Sequence, residues 1–325
     1  MTAASLVAFG AVFVGISLGL SLLFAVGLLL GRRLLRRMGP WVERRAATAA
    51  LVLPPLLAFG LVAVLAVASA VALSAGTDHC LAHSHHLHLC LRHSAAWASQ
   101  PWALCLVAAA ATFVAVRFSE SLWAHWAAQR AVSRLRMLGA PLGEHSCYLV
   151  PSNEPFAFTA GLLSPAVIVS SAAWEALEPE QRQAILAHEL AHLAHGDVWR
   201  RAALGFAASF GAPYLASRAL QIWELSAERI CDRRAALAVD RPSTVASAML
   251  ALVRTASTRL APEGAAFAAA SHVPERIESV LREEPGGKRP SRHLLIGFVA
   301  LSVFFAIACG VFAGPIHHLL ETILG

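Results

Sequence analysis

Long apolar runs alternate along this chain with short segments of mixed polarity. Ala3 to Leu30 carries no charge, and at about 1.5 Å per residue such a run crosses a hydrocarbon core of about 30 Å even when tilted. Its length, the lack of a basic segment before it and the arginines after it exclude a cleaved signal peptide. Thr48 to Ala75 is a second span, with Pro54-Pro55 expected to kink its cytoplasmic end. Pro101 to Val116 is a third, long enough once Ala95 to Ser99 is included, and Leu294 to Ile316 is a fourth. The polar middle reads differently. Ser119 to Leu138 predicts an amphipathic helix with Trp123 and Trp126 at the membrane interface. Tyr148 to Val150, Phe156 to Ala160 and Ala166 to Ser170 predict short strands, the last two a hairpin around Gly161 and Ser164-Pro165. Pro179 opens a helix that ends near Gly196-Asp197. Ala202 to Ile222 is apolar but holds Gly205, Gly211, Pro213 and Arg218. A fifth full span there would carry the following acids to the opposite face, so a bent helical hairpin in or near the interface is expected. Arg233 to Leu260 predicts one further helix.

Charge then orients the spans. Arg32, Arg33, Arg36, Arg37, Arg44 and Arg45 form a basic loop over residues 31–47, Arg117, Arg130, Arg134 and Arg136 follow the third span, and Lys288, Arg289 and Arg292 precede the fourth. By the positive-inside rule all three clusters are cytoplasmic, which leaves both termini and the loop over residues 76–100 outside. With 57% hydrophobic and 14% charged residues the chain suits a bilayer better than water. The formal charge of +6 resides beside apolar runs, so no direct nucleic-acid binding is expected. The expected fold is a mainly α membrane protein. Residues 1–116 form three transmembrane helices, 117–292 a cytoplasmic α+β domain, and 293–325 a fourth helix with a short outer tail. A bacterial inner membrane fits this layout, and the sequence is silent on oligomeric state. The six cysteines include no C-x-x-C pair, which argues against a disulfide framework apart from a Cys80 to Cys90 bridge.

Candidate chemistry centres on His188-Glu189-Leu190-Ala191-His192. Helical residues four apart share a face, so one zinc ion can take a nitrogen from both His188 and His192, with Glu189 beside it as general base. His195 continues the stripe but lies about 10.5 Å along the helix from His188, whereas two ligand atoms on one ion are about 4 Å apart at most. The third ligand must come from another helix. Trp223 to Val239 offers Glu224, Glu228 and Asp232 at four-residue steps, which the spacing alone does not distinguish.

Phe156-Ala157-Phe158-Thr159-Ala160-Gly161, Ser164-Pro165 with Ile168-Val169, the run Ala184 to His192, Gly196-Asp197 and Glu228-Arg229-Ile230-Cys231-Asp232 resemble the integral membrane metallopeptidases of the BlaR/MecR type, peptidase family M56. They are similar, more distantly, to the M48 family of HtpX and Ste24. The resemblance covers the motifs from about Arg117 to Glu284 and implies a gluzincin-like zinc peptidase domain. It implies Glu228 as third ligand, Asp232 as the acid that orients a ligand histidine, and the strand Phe156, Ala157, Phe158, Thr159, Ala160 as the edge on which an extended substrate lies. Ser271 to Ile277 is similar to the H-P-x-x-x-R segment of M48 enzymes, with Val273 interrupting the His-Pro pair, and implies His272 as an oxyanion stabiliser. The implied function is zinc-dependent endoproteolysis of a cytoplasmic protein, either cleavage of a repressor in signalling or, as in M48 members, quality control of membrane proteins. A non-catalytic membrane metal sensor is the contrasting reading, which an intact Glu189 and a complete ligand set oppose.

One further cluster stands apart. His79, Cys80, His83, His85, His86, His88, Cys90 and His93 crowd the outer loop, a density of soft and borderline ligands that makes it a candidate second metal site and signal input. Antibiotic-sensing relatives carry a large sensor domain after the last span. Only His317 to Gly325 follow here, so a β-lactam sensor is not expected.

Overall fold

The structure is a computed structural model and describes residues 3–74, 96–143, 146–257 and 272–282. The fourth span and the histidine-rich segment over residues 79–93 lie outside the described residues. Helices α1 (Ala3–Met38) and α2 (Pro40–Ser74) form an antiparallel hairpin. The reversal is made by Gly39 alone, at φ 106°, a conformation side chains resist, and Pro40 then opens α2 with its φ already suited to a helix. Residues 31–47, expected as a loop, are therefore helical almost throughout, because arginine is a good helix former and one glycine suffices to turn the chain. Helix α3 (Pro101–Leu138) is also longer than expected. The third span and the amphipathic helix after it form one rod, since neither glycine nor proline interrupts Val116 to Ser119. Among the described residues three helices are long and apolar enough to cross a membrane, Ala3–Met38, Pro40–Val67 and Pro101–Leu138, and the bent pair Pro213–Val239 with Pro242–Arg254 would make a fourth if it counts as one span.

A four-stranded sheet follows, with order β1 (Ala140–Pro141), β2 (Cys147–Val150), β4 (Ala166–Ser170), β3 (Ala157–Ala160). β2 and β4 are parallel, whereas β3 and β4 form the expected antiparallel hairpin, with Phe158 opposite Ile168 and Thr159 opposite Val167. Every residue of β4 is buried. Ala166 and Ile168 meet Val132 of α3 on one face, and Val167 and Val169 meet Cys147 and Ala173 on the other, as alternation along a strand requires. β3 is thus left at the sheet edge.

Helix α4 (Ser171–Ala176) leads to α5 (Pro179–His195), which is opened by a capping box between Glu178 and Gln181 and closed by Gly196 in the left-handed conformation at φ 63°. Helix α6 (Asp197–Ala208) and α7 (Pro213–Val239) form the expected bent hairpin. Its turn runs beside α1: Ser17 Oγ donates to the Phe210 carbonyl at 3.0 Å, Ala212 N–H donates to Ser21 Oγ at 3.3 Å, and Phe13 meets Phe210 edge to face. These serines supply partners for backbone groups that a turn leaves open in the middle of the α1 apolar run. The helix expected over residues 233–260 is divided. α7 stops at Val239, Asp240 takes φ 50°, and α8 (Pro242–Ser257) leaves at 119°, since Pro242 can neither donate to the ladder nor follow a helical residue easily. The last described helix is α9 (Val273–Leu281).

Helix α7 is the hub. Ala219, Ile222, Trp223 and Ala227 pack against Leu28 of α1, Ala47 and Leu51 of α2 and Leu204 of α6. Ala235 packs with Ala184 of α5, Val245 and Met249 of α8 and Val280 of α9. The membrane hairpin and the polar domain therefore share one helix, whose middle turn carries Glu228 and Asp232.

Candidate metal centre

Helix α5 presents His188 and His192 toward α7, as their four-residue spacing predicts, and Glu189 beside them toward β3. His188 Nε2 and His192 Nε2 are 3.2 Å apart, and the two Glu228 oxygens lie 3.4 Å and 3.5 Å from them. Two ligand atoms on a tetrahedral zinc, each at about 2.0–2.1 Å, are separated by about 3.3 Å. The three side chains thus stand at the mutual spacing such an ion requires, with two imidazole nitrogens and one carboxylate as donors. Of the three carboxylates left open by spacing, Glu224 is bound instead to Arg201 at 2.6 Å, and Asp232 is behind the histidine.

The opposite edge of each ring is held as well. His188 Nδ1 is 2.9 Å from Asp232 Oδ1, and His192 Nδ1 is 2.9 Å from Asp197 Oδ2. Both rings therefore turn Nε2 inward and present Nδ1–H to a carboxylate, the arrangement that fixes a ligand imidazole. Asp232 is fully buried and is gripped by Arg276 of α9 through bonds of 2.8 Å and 2.6 Å, while a third guanidinium nitrogen reaches Glu228 at 3.0 Å. Asp197 is gripped by Arg44 of α2. Burial alone would lower the His188 pKa, but Asp232 and Glu228 outweigh it and raise it to about 10. Against burial, which would raise it, Arg276 and His188 hold Glu228 far below the ordinary carboxylate range, and Asp232 is lowered by the same pair. Concentrated anionic charge that stabilises a proton on His188 will also stabilise a metal cation in its place.

Glu189 is buried beside this cluster. The Thr159 hydroxyl of β3 stands 2.7 Å from its Oε2 and 3.0 Å from its backbone carbonyl. The edge strand and the carboxylate next to the histidines are thus joined. Phe156 lies just before the strand and shares bonds with Ser170, while Phe158 and Ala160 face α3. His272 stands exposed at the start of α9, and the residue of this segment that enters the cluster is Arg276, one turn on. His195, set aside above as a ligand for the same ion, is buried edge-on against Trp41 and 3.9 Å from Cys231 Sγ. His192, Asp197 and Cys231 are also mutually close enough to share an ion, but Arg44 already provides a cation there.

Sequence reasoning named the three-residue cluster and Asp232, yet gave no part to Arg44, Thr159's hydroxyl or Arg276, and none beyond a motif match to Asp197. The five-residue H-x-x-x-R stretch from His272 to Arg276 pointed to the segment without saying which end mattered. Arg44 had no local signal, because it lies among arginines that orient a membrane helix and is 153 residues from its partner.

Apolar helices of spanning length, a small mixed sheet and a two-histidine, one-glutamate cluster are consistent with a membrane protein that carries a peptidase domain. Residues 121–276, from within α3 to Arg276, match the model of Peptidase family M48. The match supports a metallopeptidase of that family and, with α1 to α3, a protease set in a membrane. No curated protein and no solved structure matches the chain.

Proposed function

We propose that the protein is a zinc-dependent endopeptidase embedded in a bacterial inner membrane, with its site facing the cytoplasm. The observation that carries this reading is the convergence of His188, His192 and Glu228 at 3.2 to 3.5 Å with both histidines backed by carboxylates. These three residues would hold zinc, and the bound ion would supply Lewis-acid chemistry that makes water acidic enough to be deprotonated near neutral pH. Glu189 takes the proton of the attacking water and delivers it to the leaving amine. The Thr159 hydroxyl holds the Glu189 carboxylate toward that task. An extended substrate pairs with the open edge of β3, over Ala157 to Ala160, so that its backbone is presented to Glu189 with little demand on side chains. His272, exposed at the rim, is the candidate to stabilise the oxyanion, since Arg276 is committed to Glu228 and Asp232.

Two physiological roles fit: cleavage of a cytoplasmic repressor or similar regulator in the manner of M56 members, with the histidine-rich loop over residues 76–100 as metal-responsive input, and quality control of membrane proteins. The M48 match favours the second. Comparing the proteomes of cells carrying wild type and Glu189→Gln tests both. Accumulation of misassembled membrane proteins supports quality control, accumulation of one cytoplasmic regulator supports signalling, and identical proteomes contradict the proteolytic reading.

A further inference from the structure

We infer that Arg44, on the first turns of membrane helix α2, is a positioning residue of the metal centre and acts on His192 through Asp197; the inference rests on the metal-centre reading above. Arg44 Nη2 bonds Asp197 Oδ1, and the other oxygen of the same carboxylate, Oδ2, is 2.9 Å from His192 Nδ1. Arg44 and Asp197 side chains are only 4% and 8% exposed. The carboxylate is therefore spanned between an arginine of α2 and a ligand imidazole of α5, one partner on each oxygen.

The guanidinium is itself held. It lies 4.7 Å over the Trp223 ring of α7 and 5.9 Å from that of Trp41, and Trp41 in turn packs edge-on against His195 at 5.4 Å. Two indole rings thus fix the position of the planar guanidinium, a hold that the compact ammonium of a lysine on the same stem would not share. Asp197 is the first residue of α6, directly after the left-handed Gly196 that ends α5, so its carboxylate would otherwise be free to leave the histidine with the chain reversal. Arg44 closes that freedom. The neighbouring residue makes the hairpin a rigid base: Glu43 pairs at 2.8 Å with Arg229, next to Glu228, with both side chains at most 1% exposed. Across the same turn Arg36 of α1 bonds Glu275, next to Arg276. The cytoplasmic end of the membrane hairpin thus underlies both helices that carry the ligands.

Zinc release from the purified full-length protein in detergent, followed with an excess of chromophoric chelator, tests this without reference to proteolysis. Loss of a group that orients a ligand histidine weakens metal binding by about 10-fold to 100-fold. Arg44→Gln should therefore release zinc roughly tenfold faster, and Arg44→Lys should fall between it and wild type. An arginine acting only as a nearby positive charge predicts the reverse sign, since its removal would slow release. In the Asp197→Asn background Arg44→Gln should add nothing, because the path through Asp197 is already cut. Unchanged or slower release from Arg44→Gln, or the same tenfold acceleration in the Asp197→Asn background, overturns the inference. Should Arg44→Gln fail to fold, release from Arg44→Lys at the wild-type rate overturns it equally. A wild-type protein that holds no zinc, or holds it equally after His188→Ala, overturns the metal-centre reading itself.

Discussion

Asp232→Asn isolates the carboxylate behind His188. Asp232 has no exposed surface and accepts three bonds, from His188 Nδ1 at 2.9 Å and from Arg276 at 2.8 Å and 2.6 Å. Asparagine keeps the shape and one oxygen for the histidine, but its amide nitrogen then confronts a guanidinium that also only donates. Among the described residues Arg276 also pairs with Glu228 at 3.0 Å, so the substitution turns the arginine toward the carboxylate that the metal needs. Zinc affinity should fall by about 10-fold to 100-fold, equivalent to about 1.4–2.8 kcal/mol, with the larger figure expected because a ligand oxygen is drawn away as well. Competition between protein and a chromophoric chelator in detergent measures this directly. Replacing Arg276 by Met in the same chain should restore part of the affinity, since Glu228 is then released. A dissociation constant within about twofold of wild type, or a further additive loss in the double variant, would refute the reasoning.

Three further outcomes follow from the same contacts. Thr159→Val keeps the side-chain shape but removes the hydroxyl 2.7 Å from Glu189, and kcat/KM should drop roughly tenfold, a part of the ~10²–10⁴ that a general base contributes, with zinc content unchanged in metal analysis. Arg229→Met removes the 2.8 Å partner of buried Glu43 and leaves it only the longer pair with Arg32 at 3.5 Å; thermal unfolding should show a loss toward the lower end of about 3–5 kcal/mol, and Glu43→Leu in the same chain should recover most of it. His195 is held at about 4 by burial, with Arg44, Arg234 and Arg200 adding to that and Asp197 opposing it. Its folded pKa lies below the unfolded value of about 6.5, so the unfolded chain takes up the proton first. Stability from this group is complete above about pH 6.5 and is lost as pH falls toward 4. Melting temperature in detergent should decline over that window, and His195→Gln should reduce the slope.

Long-range partnerships separate what could be read along the chain from what could not. The motif helix was set by local signals, Pro179 at its start and Gly196 at its end, and its four-residue spacing placed both imidazoles on one face. The β3–β4 hairpin followed from a Gly and Ser-Pro turn between β-branched and aromatic runs. Element boundaries failed where continuity had to be judged. Nothing in the sequence marks whether α3 stops at Val116, and the basic run over residues 31–47 looks like a loop when only the orienting role of arginine is weighed. The position of Pro242 did mark the end of α7, but the small, apolar residues beyond it masked the break. In the site, spacing left Glu224, Glu228 and Asp232 equivalent; only the packing of α7 on α5, and Arg201 drawing Glu224 aside, separates them. The supports contributed by Arg44 and Arg276 come from helices distant in sequence, and no local pattern could assign them.

The most direct test of a zinc endopeptidase is to purify wild type and Glu189→Gln in detergent, measure bound zinc, and follow cleavage of an unstructured protein such as casein. The ligands His188, His192 and Glu228 are untouched by that substitution, so both proteins should carry one zinc ion, while cleavage is lost in the variant because the group that takes the water proton is gone. Cleavage by Glu189→Gln at the wild-type rate, with zinc bound, would contradict the account.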